Sequence, residues 1–406
     1  MRTQEKTNRN FPDKFLWGVS TSAYQIESGN INSNWREWEE KKNLSHVGNV
    51  CNSDTEYPED IKLIKALNLN AYRFSIEWSR IEPQEGKWNI DVINYYKDLI
   101  SRLQNVNIEP FVTLFHFSLP IWISNIGGFK NKKTIKYFVR FVEFVVENLG
   151  NKVNFWITIN EPTLFGVQSY ISGEWPPGEK NYLKYVIVKK NLEIAHIESY
   201  IKINKIYSKY NWEKPKISIA KNNIDAITPD IFTEYPLKVY KFLWNHSFLD
   251  NIKKYIDFIG LNYYFHKEIK LNILSKEIPL LETIPDQKGL PKQDILGWEI
   301  YPKGIYNLAV DLYKRYNKDI YITENGISDI TDGKRAEFIK NHLNFVKKAI
   351  DEGVPIKGYF YWTLVDNFEW YWGYNPKFGL AYMNKGKRVL KNSSKIYAKI
   401  AKENHL

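Results

Sequence analysis

One cysteine, Cys51, in 406 residues leaves no partner for an intrachain disulfide and no thiolate cluster for a metal ion. The seven histidines show no paired spacing either, so no metal site is expected. Long apolar runs are also missing. Even the stretch Phe138 to Val146 is broken by Arg140 and Glu143, far short of the roughly 20 apolar residues that cross a bilayer. The opening residues, Met1 to Asn10, are polar and hold no apolar segment of secretory length, which points to a cytoplasmic protein without a membrane partner. No Pro/Gly/Ser-rich linker, low-complexity tract or short repeat divides the chain, so residues 1–406 are expected to form a single domain.

What is present is ordinary in bulk and unusual in detail. Hydrophobic residues at 43% and charged residues at 25% describe a folded globular chain. The net charge of +11 raises the question of an acidic partner. The lysines are scattered, with short runs such as Lys41-Lys42 and Lys189-Lys190 and no basic-aromatic repeat, so a solvated basic surface is the better reading and no nucleic-acid partner is expected. Aromatic residues reach 16%, more than a core requires, which suggests rings lining a surface or cleft.

Short β-branched or aromatic runs recur, each followed by a stretch of helical periodicity. The candidate strands are Phe15 to Ser20, Ala71 to Ile76, Pro110 to Phe115, Asn154 to Ile159, Ile217 to Ala220, Asp257 to Asn262, Ile320 to Thr323 and Gly358 to Trp362. Between them lie segments such as Tyr137, Phe138, Phe141, Val142, Val145, Val146 and Leu149, whose spacing places them on one helical face packed against a sheet. Eight strands alternating with helices predict an α/β fold, a (β/α)8 barrel with its chemistry at the C-terminal strand ends. The alternative is an open doubly wound sheet, which normally brings a Gly-x-Gly-x-x-Gly turn that this chain does not have.

The barrel reading selects the residues to inspect. Asn160-Glu161-Pro162 follows the fourth strand and Glu324-Asn325-Gly326 the seventh, so two carboxylates emerge at one rim. Paired carboxylates suit glycoside hydrolysis, with retention at a separation of about 5–5.5 Å and inversion at about 6.5–9.5 Å. Each tripeptide also has a structural reading: Asn160 as a helix cap, and Asn325-Gly326 as a tight turn with positive φ. Arg73 is a charge in a run that should be apolar. It pairs either with a rim glutamate, keeping that group ionised as a nucleophile must be, or structurally with Glu77. The charge of one glutamate is expected to hold the other protonated. Gln25 and His116 fall at the same rim and could bind sugar hydroxyls, and Trp362, Trp370, Tyr371, Trp372, Tyr374 and Phe378 could stack on pyranose faces.

On these residues the chain resembles glycoside hydrolase family 1, the retaining β-glucosidases and β-galactosidases. The resemblance runs through Phe15-Leu16-Trp17-Gly18, Tyr72 to Arg80, Thr113 to Pro120, Asn160-Glu161-Pro162, Gly260 to Tyr264, Ile322 to Gly326 and Asp366 to Trp370. It implies a TIM barrel that cleaves terminal β-glucosides, and galactosides or fucosides, through a glycosyl-enzyme. Glu161 would be the acid/base and Glu324 the nucleophile. Asn160 would hold the sugar 2-hydroxyl, while Tyr264 and Arg73 would steady Glu324. Gln25, His116, Trp362, Glu369 and Trp370 would line the glycone subsite, with Phe378 nearby and Trp298 as the aglycone platform. Glu369 and Trp370 stand where relatives acting on 6-phospho-sugars carry Ser and Lys, which implies an unphosphorylated glycone. The chain departs from the family pattern at Ser28, Phe117 and Lys377, and its modest length implies trimmed rim loops. The partner implied is a small β-glycoside or oligosaccharide, and the implied chemistry needs no metal or cofactor. Two other outcomes follow from the same residues: transglycosylation at the same site, or sugar binding without turnover.

Overall fold

A computed structural model describes residues 10–48, 50–228, 231–272, 281–283, 294 and 296–406. The polar opening stretch 1–9 lies outside the described residues. Eight parallel strands close a barrel: β1 (Leu16–Ser20), β2 (Ala71–Ser75), β3 (Glu109–Thr113), β4 (Phe155–Asn160), β5 (Lys216–Asn222), β6 (Ile259–Asn262), β7 (Ile320–Asn325) and β8 (Ile356–Trp362). They are ordered β1-β8-β7-β6-β5-β4-β3-β2, with β2 pairing back onto β1. All eight expected strands are present, shifted at their ends by one or two residues. The shifts matter at β4 and β7, which run on to include Asn160 and Glu324.

Strand alternation assigns the inner face. The barrel interior holds Ala71, Phe111, Phe155, Ile157, Ala220, Phe258, Tyr321 and Phe360, with Phe111 and Phe155 stacked at 4.0 Å. Neighbours in sequence such as Tyr72, Phe74, Trp156, Ile320 and Ile322 belong to the larger core between barrel and helices. The expected helix is Lys133–Leu149, and its Phe138, Phe141, Val142, Val145, Val146 and Leu149 are all buried in the larger core, while Tyr137 is only partly buried. Tyr397, on the closing helix Ser394–Glu403, donates to the carbonyls of Gly18 and Tyr359 and ties the chain's end to β1 and β8. A small sheet of Asp225–Ile227, His266–Leu271 and Leu281–Thr283 extends beyond the ends of β5 and β6.

Among the described residues no helix is long and apolar enough to cross a membrane, and no group of three His, Cys, Asp or Glu side chains could hold a metal ion.

Candidate active site

Alternation carries Arg73 into the barrel two residues above Ala71, where its guanidinium is fully buried. The two glutamates reach the interior by a different device. The β4–β5 register shifts between Ile157 and Asn160, and the β7 register shifts beyond Ile322 against both neighbours. Such irregularities re-aim side chains at strand ends. Ile159 therefore packs outward while Asn160 turns inward, and Glu324 faces Arg73.

One hydrogen-bonded chain links the two carboxylates. Arg73 donates through Nη1 to Glu324 Oε1 and through Nη2 to Asn160 Oδ1 at 2.6 Å. Asn262 Nδ2 donates to the same Asn160 oxygen at 3.3 Å and to Glu161 Oε1 at 2.7 Å, while Thr323 Oγ1 donates to Asn262 Oδ1 at 2.6 Å. The other oxygen of Glu324 accepts from Tyr264 at 2.6 Å. Arg73 thus pairs with Glu324 and not with Glu77, whose carboxylate accepts from Ser79 and Ser118 instead. Asn160 does not cap the next helix. Glu161 occupies that junction at φ 43°, ψ 56°, followed by Pro162 in the first helical turn. A left-handed conformation costs a residue with a side chain roughly 1–2 kcal/mol, and Phe117 and Trp370, both facing the same cavity, share it.

The Asn325-Gly326 pair is not a positive-φ turn either. Asn325 is buried, donating to the Tyr263 carbonyl and accepting from Tyr359. Gly326 passes so close to β8 that a Cβ there would lie 2.0 Å from the Trp362 carbonyl oxygen.

Burial is the first cause of the electrostatics. It pushes Glu161 up to about 8, with the charge of Glu324 second and the Asn262 hydrogen bond, Lys221 and Arg73 opposing. Desolvation therefore leads and mutual repulsion follows, the reverse of the emphasis drawn from the sequence. Burial likewise lifts Glu369 to about 8 and holds His116 well below the usual imidazole range, with the Arg73 charge adding to the second shift. His116 is thus neutral. Its Nε2 meets the Asn160 amide at 3.1 Å and must accept, so the proton sits on Nδ1, which is buried without a protein partner.

A cavity of about 370 Å³ opens onto Glu161 and Glu324. Asn160, His116, Tyr264, Trp298, Trp362, Glu369, Trp370 and Phe378 all line it. Arg73 and Gln25 stand behind the lining. Gln25 donates to the Phe368 carbonyl at 2.6 Å, lies beside Glu369, and keeps its buried carbonyl oxygen unpartnered. Of the aromatic run after β8, Trp372 lines the cavity, but Tyr371 points to solvent and Tyr374 donates to the Val47 carbonyl.

Sequence reasoning passed over Asn262, although it lies inside the Gly260 to Tyr264 motif. It also passed over the wall made by Leu164, Val167, Ile224, Tyr240 and Trp244, whose apolar letters look like core, and over Lys221, which follows the expected strand Ile217 to Ala220 and falls inside the observed one.

A parallel barrel whose strand ends bring two buried carboxylates to one aromatic cavity defines a glycoside hydrolase. The sequence model of glycosyl hydrolase family 1 matches residues 7–231 and 241–406. A 1,4-beta-D-glucan glucohydrolase of Thermotoga neapolitana is 34% identical over 98% of this chain and 99% of its own length. Beta-glucosidase A of Thermotoga maritima is 33% identical over 98% and 99%. That alignment spans 450 positions, more than the 406 residues present here, so the relative carries insertions that this chain lacks. Among solved structures, a beta-glycosidase from Pyrococcus horikoshii superposes with a TM-score of 0.91 at 34% identity, covering 98% of this chain and 96% of the other. The family 1 beta-glucosidase of Thermotoga maritima in complex with isofagomine lactam gives 0.89 at 30%, covering 98% and 100%. The chain belongs to glycosyl hydrolase family 1.

Proposed function

We propose that the protein, acting as one catalytic domain over residues 1–406, is a retaining β-glycosidase that removes terminal β-linked glucosyl groups, galactosides or fucosides being further candidates. The observation that carries this reading is the continuous hydrogen-bonded path Glu324–Arg73–Asn160–Asn262–Glu161, which holds an anion-binding end and a proton-holding end on one cavity. In the first step Glu324 attacks the anomeric carbon while protonated Glu161 gives its proton to the departing oxygen. In the second, water attacks the same carbon, Glu161 takes a proton from it, and the bond to Glu324 breaks.

Arg73 and Tyr264 orient both oxygens of the nucleophile. Asn160 has one amide hydrogen left over after His116, placed to reach a 2-hydroxyl. His116 Nδ1 and Gln25 Oε1, buried donor and acceptor without protein partners, suit hydroxyls of the glycone, as does Glu369, which accepts from Trp362 at 3.2 Å. Trp298, packed 4.7 Å from Phe265, and Phe378 supply apolar faces toward the aglycone.

The test is incubation with a 2-deoxy-2-fluoro-β-glucosyl fluoride, which slows the second step, followed by peptide mapping. Label on Glu324 is the expected result. Label on another residue would overturn the assignment, and an unlabelled protein that turns over no glycoside would overturn the enzymatic reading.

A further inference from the structure

Lys221 is a fully buried lysine in the otherwise uncharged β5 run Ile219-Ala220-Lys221-Asn222. An ammonium group is rarely buried without a compensating charge, because desolvation is costly and its three donors need acceptors. Lys221 Nζ donates to the Asn222 carbonyl and lies 5.9 Å from the Trp244 ring. The nearest charge of opposite sign across the β4–β5 ladder is that of Glu161, placed there by the backbone and not in a direct ion pair. Asn160 pairs with Ala220, and the Glu161 backbone N–H donates to the Ala220 carbonyl at 2.7 Å, which makes Lys221 and Glu161 neighbours at the paired strand ends.

After burial, the largest influences on this pair come from charges of both signs, with the Tyr264 hydroxyl also beside Glu161. Glu161 faces Glu324, which disfavours its charge, and Lys221, Arg73 and the donating Asn262 amide, which favour it. Lys221 faces Glu161 and, from the helix Tyr182–Tyr210, Lys189, itself paired with Glu193 at 2.7 Å.

We infer that Lys221 is a positioning residue for the proton of Glu161: its buried charge lets Glu161 stand as a carboxylate when the second step needs a base. The inference rests on the acid/base role proposed for Glu161. Once Glu324 is esterified its negative charge is gone, and Lys221 and Arg73 act on Glu161 unopposed. Glu161, having given its proton to the departing oxygen, then remains a carboxylate and can accept the proton of the attacking water. Burial lowers Lys221 and the charge of Glu161 opposes this, so the two titrate as one pair in which each charge favours the other.

The test compares wild type, Lys221→Met and Lys221→Arg. Two pH profiles are recorded, kcat/KM on an aryl β-glucoside and kcat on a dinitrophenyl β-glucoside, whose departure needs no acid. Without the lysine charge, the basic limb of kcat/KM is expected to rise by about one pH unit. Near pH 6 the kcat for the dinitrophenyl substrate should fall about tenfold, with Lys221→Arg following wild type in both. An unmoved limb, a uniform loss at every pH, or equal shifts in the two variants would refute the role.

Should Lys221→Met not fold, wild-type protein carrying 13C at the lysine ε-carbons supplies the answer. One lysine signal should move through the pH range of the basic limb and move again when Glu324 is trapped; no such signal refutes the inference. Failure to turn over any glycoside would refute the carboxylate assignment itself, whereas turnover with an unmoved limb refutes Lys221 alone.

Discussion

Replacing Arg73 by methionine removes the link between the two carboxylates while keeping the length of the side chain. Arg73 donates to Thr113 Oγ1 at 3.2 Å, to the Thr323 carbonyl at 3.3 Å, to Asn160 Oδ1 at 2.6 Å and to Glu324. Asn160 keeps Asn262 as a donor, but Glu324, only 3% exposed, is left with the Tyr264 hydroxyl alone. Breaking a buried ion pair by deleting one partner costs about 3–5 kcal/mol, and neither group is exposed enough for water to soften this. At ~2.1 cal/mol/K per residue, the unfolding entropy of a 406-residue chain is about 0.85 kcal/mol/K, so a loss of about 4 kcal/mol lowers Tm by about 5 °C. If the same energy is missing from the transition state, kcat/KM falls about a thousandfold.

The deficit also has a pH signature. Arg73 also favours the charged form of Glu161, so its loss makes that carboxyl costlier to ionise, and the Tm difference from wild type should be larger at pH 8 than at pH 5. Calorimetry at the two pH values and kinetics on an aryl β-glucoside check both parts. A Tm deficit that does not change with pH, or a variant with near wild-type kcat/KM, would refute the reasoning.

Two further outcomes follow from the same geometry. Glu161 is raised from 4.5 to about 8, so the fold favours its protonated form; the stability this contributes is complete below about 4.5 and is lost as pH rises toward 8. Glu161→Gln, which imitates that form at every pH, should melt with wild type near pH 4.5 and above it at pH 8, while hydrolysis of unactivated glucosides drops by about 10²–10⁴. Thermal melts across pH check the sign, and a variant less stable than wild type at pH 8 would contradict it. Tyr264→Phe deletes a 2.6 Å hydrogen bond to the Glu324 carboxylate, worth about 1.5–3 kcal/mol, and the rate of covalent labelling should fall about ten- to a hundredfold; a change under threefold would remove Tyr264 from the machinery.

Much of the fold was legible because barrel strands are buried on both faces and read as short apolar runs. All eight were visible, and the polar positions among them marked the site. Arg73 was conspicuous because a charge in such a run needs a partner, and Glu161 and Glu324 because each follows a strand. The same logic reaches Asn262, a polar residue at the end of an expected strand, but not Lys221, because the expected strand stopped at Ala220 and only the observed one runs on to Asn222. The walls contributed by Tyr240 and Trp244 were not legible, since an aromatic letter is the same whether it faces a core or a cavity.

The residues alone determined the period-two alternation that turns Arg73 into the barrel, the helical stripe of Lys133–Leu149, and the family to which the motifs belong. Tertiary structure decided the rest, because it depends on which groups are brought together and what water they lose. The register shifts in β4 and β7 turned Asn160 and Glu324 inward against simple alternation. The closing of the barrel chose Glu324 over Glu77 as the partner of Arg73. Burial, more than the neighbouring charge, set the proton on Glu161, since removing a carboxyl from water penalises its charged form wherever it stands in the sequence.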